Sequence, residues 1–198
     1  MTLRWITHLD TFSVNAQLHR LTGGDLWKGK TALAQMTDPK MPHKTLLLRV
    51  QDKPSLENWL DDLPMHDQPA FEKWKSMRTL IARARRAISI DPFIGPLVDA
   101  TAPLGRVVIS ILQPHSVMAW HSDLGEYAKH HLRFHIAMTS NPRCFIYCGG
   151  DALHAPPGSL VFLNALQQHC AVNFGDSPRA HTIFELRRRD AGDGDESA

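Results

Sequence analysis

Apolar side chains recur with two different periods along the chain, and the change falls near residue 105. From about residue 69 to 88, Phe71, Trp74, Met77, Ile81, Ala84 and Ile88 return at helical spacing and form one apolar stripe. The opposite face carries Lys73, Lys75, Arg78, Arg83, Arg85 and Arg86. This pattern predicts a helix packed on a sheet with a solvated basic face, or alternatively a polyanion-binding face. No aromatic side chain is interleaved on the basic side, which argues against nucleic acid as a partner. Earlier in the chain, residues 3–7 and 45–50 read as strands. Residues 54–60 read as a short helix with Pro54 at its start. After Gly105 the pattern becomes short apolar runs split by Pro, Gly and Asn. Residues 106–112, 132–138, 144–148, 159–163 and 181–187 are the strand candidates. A helical half leading into such a β half gives an α+β fold, with helices supporting a compact β-sandwich or β-roll.

At 198 residues the chain suits one domain. We read residues 1–187 as that domain, with 1–104 as a helix-and-strand support region and 105–187 as the β core. Residues 188–198, charged and small, read as a flexible tail. Hydrophobic residues make up 43% and charged residues 21%, the balance of an ordinary globular protein. A formal net charge of +2 gives no argument for a polyanionic partner. No stretch is apolar for long enough to span a bilayer, and the first residues lack a secretory apolar core. The expectation is therefore a cytoplasmic protein without a membrane partner. Cys144, Cys148 and Cys170 form an odd, sparse set with no second Cys pair to complete a zinc site. They are expected to be buried, reduced thiols. Oligomeric state leaves no mark in the sequence.

Twelve histidines change the picture, because imidazole is the commonest metal-ligating side chain. In the segment Ala119-Trp120-His121-Ser122-Asp123, the imidazole and carboxylate stand two residues apart. An extended chain projects both to one side, within reach of one metal. A distant histidine would complete a facial triad that leaves three octahedral positions open. His169 is the candidate. The HxD spacing by itself occurs often by chance. In residues 132–138, Leu132, Phe134, Ile136 and Met138 share one face of a strand, while Arg133 and His135 share the other. A cation and an imidazole inside a small β-roll need a partner, which an anionic ligand would supply. The alternative is an edge strand with its polar side in water. Arg179, ten residues after His169, could grip a carboxylate with a planar fork, and the Ser110 hydroxyl could donate to the same group.

Taken in order, these segments resemble the aspartyl/asparaginyl β-hydroxylase family of Fe(II)/2-oxoglutarate oxygenases. The matching stretches are Ser110-Ile111-Leu112-Gln113-Pro114, Trp120-His121-Ser122-Asp123, Arg133-Phe134-His135-Ile136, Pro157-Gly158-Ser159-Leu160-Val161-Phe162 and His169-Cys170-Ala171-Val172-Asn173. Arg179 then precedes Thr182-Ile183-Phe184. The resemblance covers residues 110–186. It implies a double-stranded β-helix, a jelly-roll of cupin-like type. It also implies iron ligation by His121, Asp123 and His169. Arg179 and Ser110 would hold the C5 carboxylate of 2-oxoglutarate, with Arg133 and His135 close to the same cosubstrate. The implied reaction consumes O2 and 2-oxoglutarate, releases succinate and CO2, and hydroxylates a C–H bond of an Asp- or Asn-like residue in a peptide or protein. Hydroxylation of a free amino acid such as proline is the alternative. The best-known animal members lack the metal carboxylate, so Asp123 makes this chain look more like bacterial members with a complete triad. Two rival classes are a non-catalytic cupin-like protein that binds a metal or small ligand, and a nucleic-acid-binding protein that uses the basic helix.

Overall fold

The computed structural model describes residues 1–21, 43–49 and 75–189. Among them run β1 (Leu3–His8), α1 (Phe12–Leu21), β2 (His43–Arg49), α2 (Lys75–Ser89), β3 (Val107–Leu112), β4 (Ser116–His121), α3 (Glu126–His130), β5 (His131–Thr139), β6 (Cys144–Cys148), β7 (Asp151–Leu153), β8 (Ser159–Leu163), β9 (His169–Asn173) and β10 (Arg179–Arg187). A single 3-10 turn, Gly95–Leu97, separates α2 from β3. The short helix expected at 54–60, and the start of the basic helix before Lys75, lie outside the described residues.

The strands form two antiparallel sheets. The larger has the order β1-β8-β5-β10-β3-β2 and the smaller the order β4-β9-β6-β7. Apart from the β6–β7 hairpin, strands adjacent in space are far apart in sequence, as in a jelly-roll, and the fold is a double-stranded β-helix. β1 and β2 come from the support region and form the two edges of the larger sheet.

Strand alternation decides what each face of the larger sheet does. Leu132, Phe134, Ile136 and Met138 of β5 join Leu160 and Phe162 of β8 and Phe184 and Leu186 of β10 in the main core. Against them pack Met77, Leu80, Ile81, Ala84 and Ile88 of α2 and Val14 of α1. Every member of this α2 stripe is buried, while Lys75, Arg78, Arg83 and Arg86 are exposed. The helix therefore sits as its apolar period requires, basic side outward. The opposite face of the larger sheet looks toward the smaller one. There Ala137 and Val161 pack near Ala155, and Leu163 packs with Ile146, Cys148 and Ala165. The polar residues of the site lie on this inner face.

All three cysteines are free and buried. Cys144 and Cys148 stand four residues apart on one extended strand, roughly 13 Å at the usual strand rise. That separation rules out a bridge between them. The Cys144 thiol donates instead to Asn173 Oδ1 at 3.2 Å. The backbone stays attached beyond residue 187: Arg188 N–H donates to the His130 carbonyl and Arg189 N–H to that of Leu97. The rest of the segment read as a tail, residues 190–198, lies outside the described residues. Among the described residues no helix is long and apolar enough to cross a membrane.

Candidate metal and cosubstrate site

β4 and β9 are antiparallel neighbours, with His121 opposite His169 in register. Residues opposite one another share a face, so both imidazoles project between the sheets, with ring centroids 4.2 Å apart. Asp123 follows the end of β4, where its N–H donates to the Ala165 carbonyl at 2.9 Å. The ligand atoms of His121, Asp123 and His169 lie within 4.8 Å of one another. The two-residue spacing does bring the carboxylate beside the imidazole, but past the strand end rather than within the strand.

Both imidazoles are prepared to ligate. His121 Nδ1 lies 2.8 Å from the Ala119 carbonyl and His169 Nδ1 lies 2.9 Å from the Gln167 carbonyl. A carbonyl only accepts, so each Nδ1 carries the proton and each Nε2 turns a lone pair toward the cluster. Burial disfavours the protonated form of His169, outweighing the Gln167 carbonyl that favours it, so the ring is neutral near pH 7. Two imidazoles and one carboxylate fit the 2-His-1-carboxylate facial set that holds non-haem Fe(II) with open positions.

Behind this cluster the inner face of the larger sheet carries polar side chains in rows. β10 contributes Arg179, His181 and Glu185 at alternate positions. His181 stands opposite Ser110 of β3 and Ala137 of β5, and Glu185 stands opposite Arg133. Arg179 is 3% exposed and contacts His181, with Nη2 2.9 Å from Nδ1 and Nε 3.2 Å from Nε2. Among the described residues no carboxylate pairs with it. Burial lowers its pKa to about 10, so it remains a cation at neutral pH. Ser110 is buried. His135 is buried too, and neither of its ring nitrogens has a hydrogen-bond partner. Burial first, then the charges of Arg179, Arg133 and His169, drive its pKa well down, so it is neutral. His181 is held neutral by burial and by Arg179.

Arg133 points inward, as the alternation of β5 predicts, and not into water. Its guanidinium bonds Glu185 Oε1, with Nη2 at 2.8 Å, and Asp123 Oδ2 through Nη1. Glu185 also accepts from Arg106, at 2.7 and 2.8 Å. Burial would raise the Glu185 pKa, but the two guanidiniums outweigh it and bring it to about 2. Tyr127 lies under the Arg106 guanidinium, its ring centroid 4.5 Å away.

Thus His121, Asp123 and His169 meet at one point. Arg179, Ser110 and His135 line the inner face, and Arg133 lies between that face and Asp123. Sequence reasoning missed His181, Glu185 and Arg106. The pattern was available, since Arg179, His181 and Glu185 fall on one face of an otherwise apolar strand and mark an inward face that needs partners. Nothing in the sequence pairs Arg106 with Glu185, because that contact depends on the β3–β10 register.

Among solved structures, the chain is similar to the non-heme alpha ketoglutarate dependent epimerase from nogalamycin biosynthesis. That match has TM-score 0.59 and 13% identity, and covers 99% of this chain and 87% of that one. It is also similar to a prolyl-4-hydroxylase of Pseudomonas putida, with TM-score 0.52 and 14% identity, covering 95% of this chain and 93% of that one. At these identities the likeness speaks to the fold. No curated protein sequence matches the chain. The family model described as aspartyl/asparaginyl beta-hydroxylase matches residues 63–189, well over half of the chain and all of the site described above. The protein belongs to the aspartyl/asparaginyl β-hydroxylase family.

Proposed function

We propose that the protein is an Fe(II)/2-oxoglutarate-dependent dioxygenase that hydroxylates a C–H bond of an Asp- or Asn-like residue in a peptide or protein. In this reading His121, Asp123 and His169 hold iron. Arg179 and Ser110 receive the distal carboxylate of 2-oxoglutarate, and His135 and Arg133 border the cosubstrate on its way to the metal. Iron and 2-oxoglutarate, when bound, supply the oxidation of the C–H bond by O2, with succinate and CO2 as by-products. The chain supplies ligation and orientation.

One observation carries the reading beyond a bare metal site. Arg179 is a buried cation whose one partner among the described residues is a neutral imidazole, with no carboxylate among them. A buried guanidinium without an anion is costly, and a planar fork suits a carboxylate. His135, whose two ring nitrogens have no partner among the described residues, lies close enough to Arg179 and Arg133 to feel their charges. An elongated dianion reaching from Arg179 toward the metal would satisfy both residues. A metal-binding cupin without a cosubstrate leaves the cation unexplained, and a nucleic-acid protein leaves the whole site unexplained. The family match and the fold shared with a prolyl-4-hydroxylase support the same class.

The test is a screen of Asp- and Asn-containing peptides and of free amino acids, proline included, with Fe(II), 2-oxoglutarate and O2. The reading expects succinate to rise together with a product heavier by one oxygen atom, from a peptide. A product from a free amino acid alone would move the substrate class. Absence of succinate formation above an Asp123→Ala control with every compound would contradict it.

A further inference from the structure

Each member of the His121, Asp123, His169 cluster has one contact that fixes its orientation. For the two histidines it is a carbonyl two residues upstream, on β4 for His121 and in the turn just before β9 for His169. Asp123 has no such local support for its side chain. It lies beyond the end of β4, a quarter exposed, two residues before Gly125, whose φ is 134°. Its backbone is tied to Ala165, which leaves the carboxylate free to rotate. The side-chain contact comes from across the fold. Oδ2 is taken by Arg133 Nη1, while Oδ1 faces His121 Nε2 at 3.9 Å.

Placing a guanidinium beside a divalent cation site is electrostatically unfavourable, so its presence there needs a reason. Arg133 does not stand there alone. Glu185 Oε1 accepts from Arg133 Nη2 at 2.8 Å and Nε at 3.2 Å, and also from Arg106 Nη2 at 2.8 Å. Arg106 Nε closes on Oε2 at 2.7 Å. The cross-strand register of β5 and β10 puts Arg133 opposite Glu185, and Arg106 lies on the far side of Glu185. Charges therefore alternate across the inner face: Arg106, Glu185, Arg133, Asp123. Two anions balance two cations, and the row ends on the oxygen of Asp123 that is turned away from His121.

We propose that Arg133 is the positioning residue of the metal carboxylate. It holds Asp123 Oδ2 so that Oδ1 alone is offered to the metal, and Glu185, clamped by Arg106, fixes Arg133 for that role. The inference rests on the functional reading above, because it needs a divalent metal at the cluster. It adds a device which that reading does not require.

Co(II) titration of the purified full chain tests it without turnover, through both affinity and the d–d spectrum. Arg133→Met leaves Glu185 paired with Arg106, so the fold keeps its buried carboxylate neutralised. This variant should bind Co(II) about tenfold or more weakly, the usual effect of removing an outer partner of a ligand. Its d–d bands should shift as Asp123 becomes free to turn both oxygens to the metal. Arg133→Lys should fall between, since an ammonium can hold one carboxylate but not both in a planar fork. Glu185→Gln should weaken binding in the same direction. In an Asp123→Ala background, Arg133→Met should have no further effect. Co(II) binding by Arg133→Met as tight as or tighter than wild type, with an unchanged spectrum, would overturn the inference alone. So would a loss that adds in full to that of Asp123→Ala. A wild-type chain that binds no Co(II) would remove the functional reading as well.

Discussion

Arg179 should cost the free protein stability, and removing it should reveal that cost. The guanidinium is buried, and burial lowers its pKa from the ordinary arginine value to about 10. At about 1.4 kcal/mol for each tenfold change in proton affinity, that lowering disfavours the charged native form by about 3 kcal/mol. The sign follows from linkage. The unfolded chain carries a charged arginine throughout the accessible range, and so does the native chain below pH 10, so the penalty is present in full at neutral pH. Arg179→Met removes the buried charge and keeps most of the volume. It also removes the contact to His181, worth about 1 kcal/mol. The net expectation is a ligand-free protein about 2 kcal/mol more stable than wild type, which for a chain of this size raises Tm by about 4–8 °C. Replacement of buried ions by apolar groups commonly stabilises to this degree. Under the proposed function 2-oxoglutarate should stabilise the wild type, and this variant should lose that effect. Thermal unfolding of the Mn(II)-loaded proteins, with and without 2-oxoglutarate, measures both effects. An Arg179→Met protein less stable than ligand-free wild type, or one still stabilised by 2-oxoglutarate, would refute the argument that this cation waits for an anion.

Three other outcomes follow from the same structure. Glu185 falls from 4.5 to about 2 in the fold, so its contribution of roughly 3 kcal/mol is present above pH 4.5 and lost as pH falls toward 2. Urea unfolding between pH 6 and pH 3 should show that loss, and Glu185→Gln should flatten the curve. Mass analysis under non-reducing conditions should find three free thiols. A Cys144–Cys148 bridge would contradict the strand geometry. Gly158 has φ 90°, and a Cβ there would stand 2.6 Å from the Leu9 carbonyl oxygen. Gly158→Ala should therefore destabilise by at least about 1–3 kcal/mol, read from the urea midpoint.

What could be read from the sequence was what depends on period and order. β6 and β8 have the predicted ends, because each is an apolar run bounded by turn residues. β5 extends the predicted segment by one residue at each end, and β10 begins two residues earlier, at Arg179. The apolar stripe of α2 was legible from spacing alone. β4 was not, since Ser116-Val117-Met118-Ala119-Trp120-His121 has no clean alternation and lies at the edge of the smaller sheet. α1 and the five-residue α3 were also missed; α3 is too short for a helical period to show. At the candidate site, spacing and ordered motifs singled out His121, Asp123 and His169, which the structure brings together, and Arg179, which it buries. The row of Arg106, Glu185 and Arg133 was not, because its members meet only through register, 79 and 52 residues apart in the chain. The carbonyls of Ala119 and Gln167 that orient the imidazoles are backbone atoms and have no signature in side-chain identity.

The central claim is that one site holds both Fe(II) and 2-oxoglutarate. Anaerobic titration of the Fe(II)-loaded protein with 2-oxoglutarate tests it directly, because a metal-to-ligand charge-transfer band forms only when the cosubstrate chelates bound iron. The account predicts a saturable band with one equivalent of each in the wild type. It predicts no band in His169→Ala, and in Arg179→Ala a band that needs at least about a hundredfold more 2-oxoglutarate, as the loss of a buried charge partner implies. A wild-type protein that binds Fe(II) yet shows no band at millimolar 2-oxoglutarate would contradict it, as would His169→Ala giving the wild-type titration.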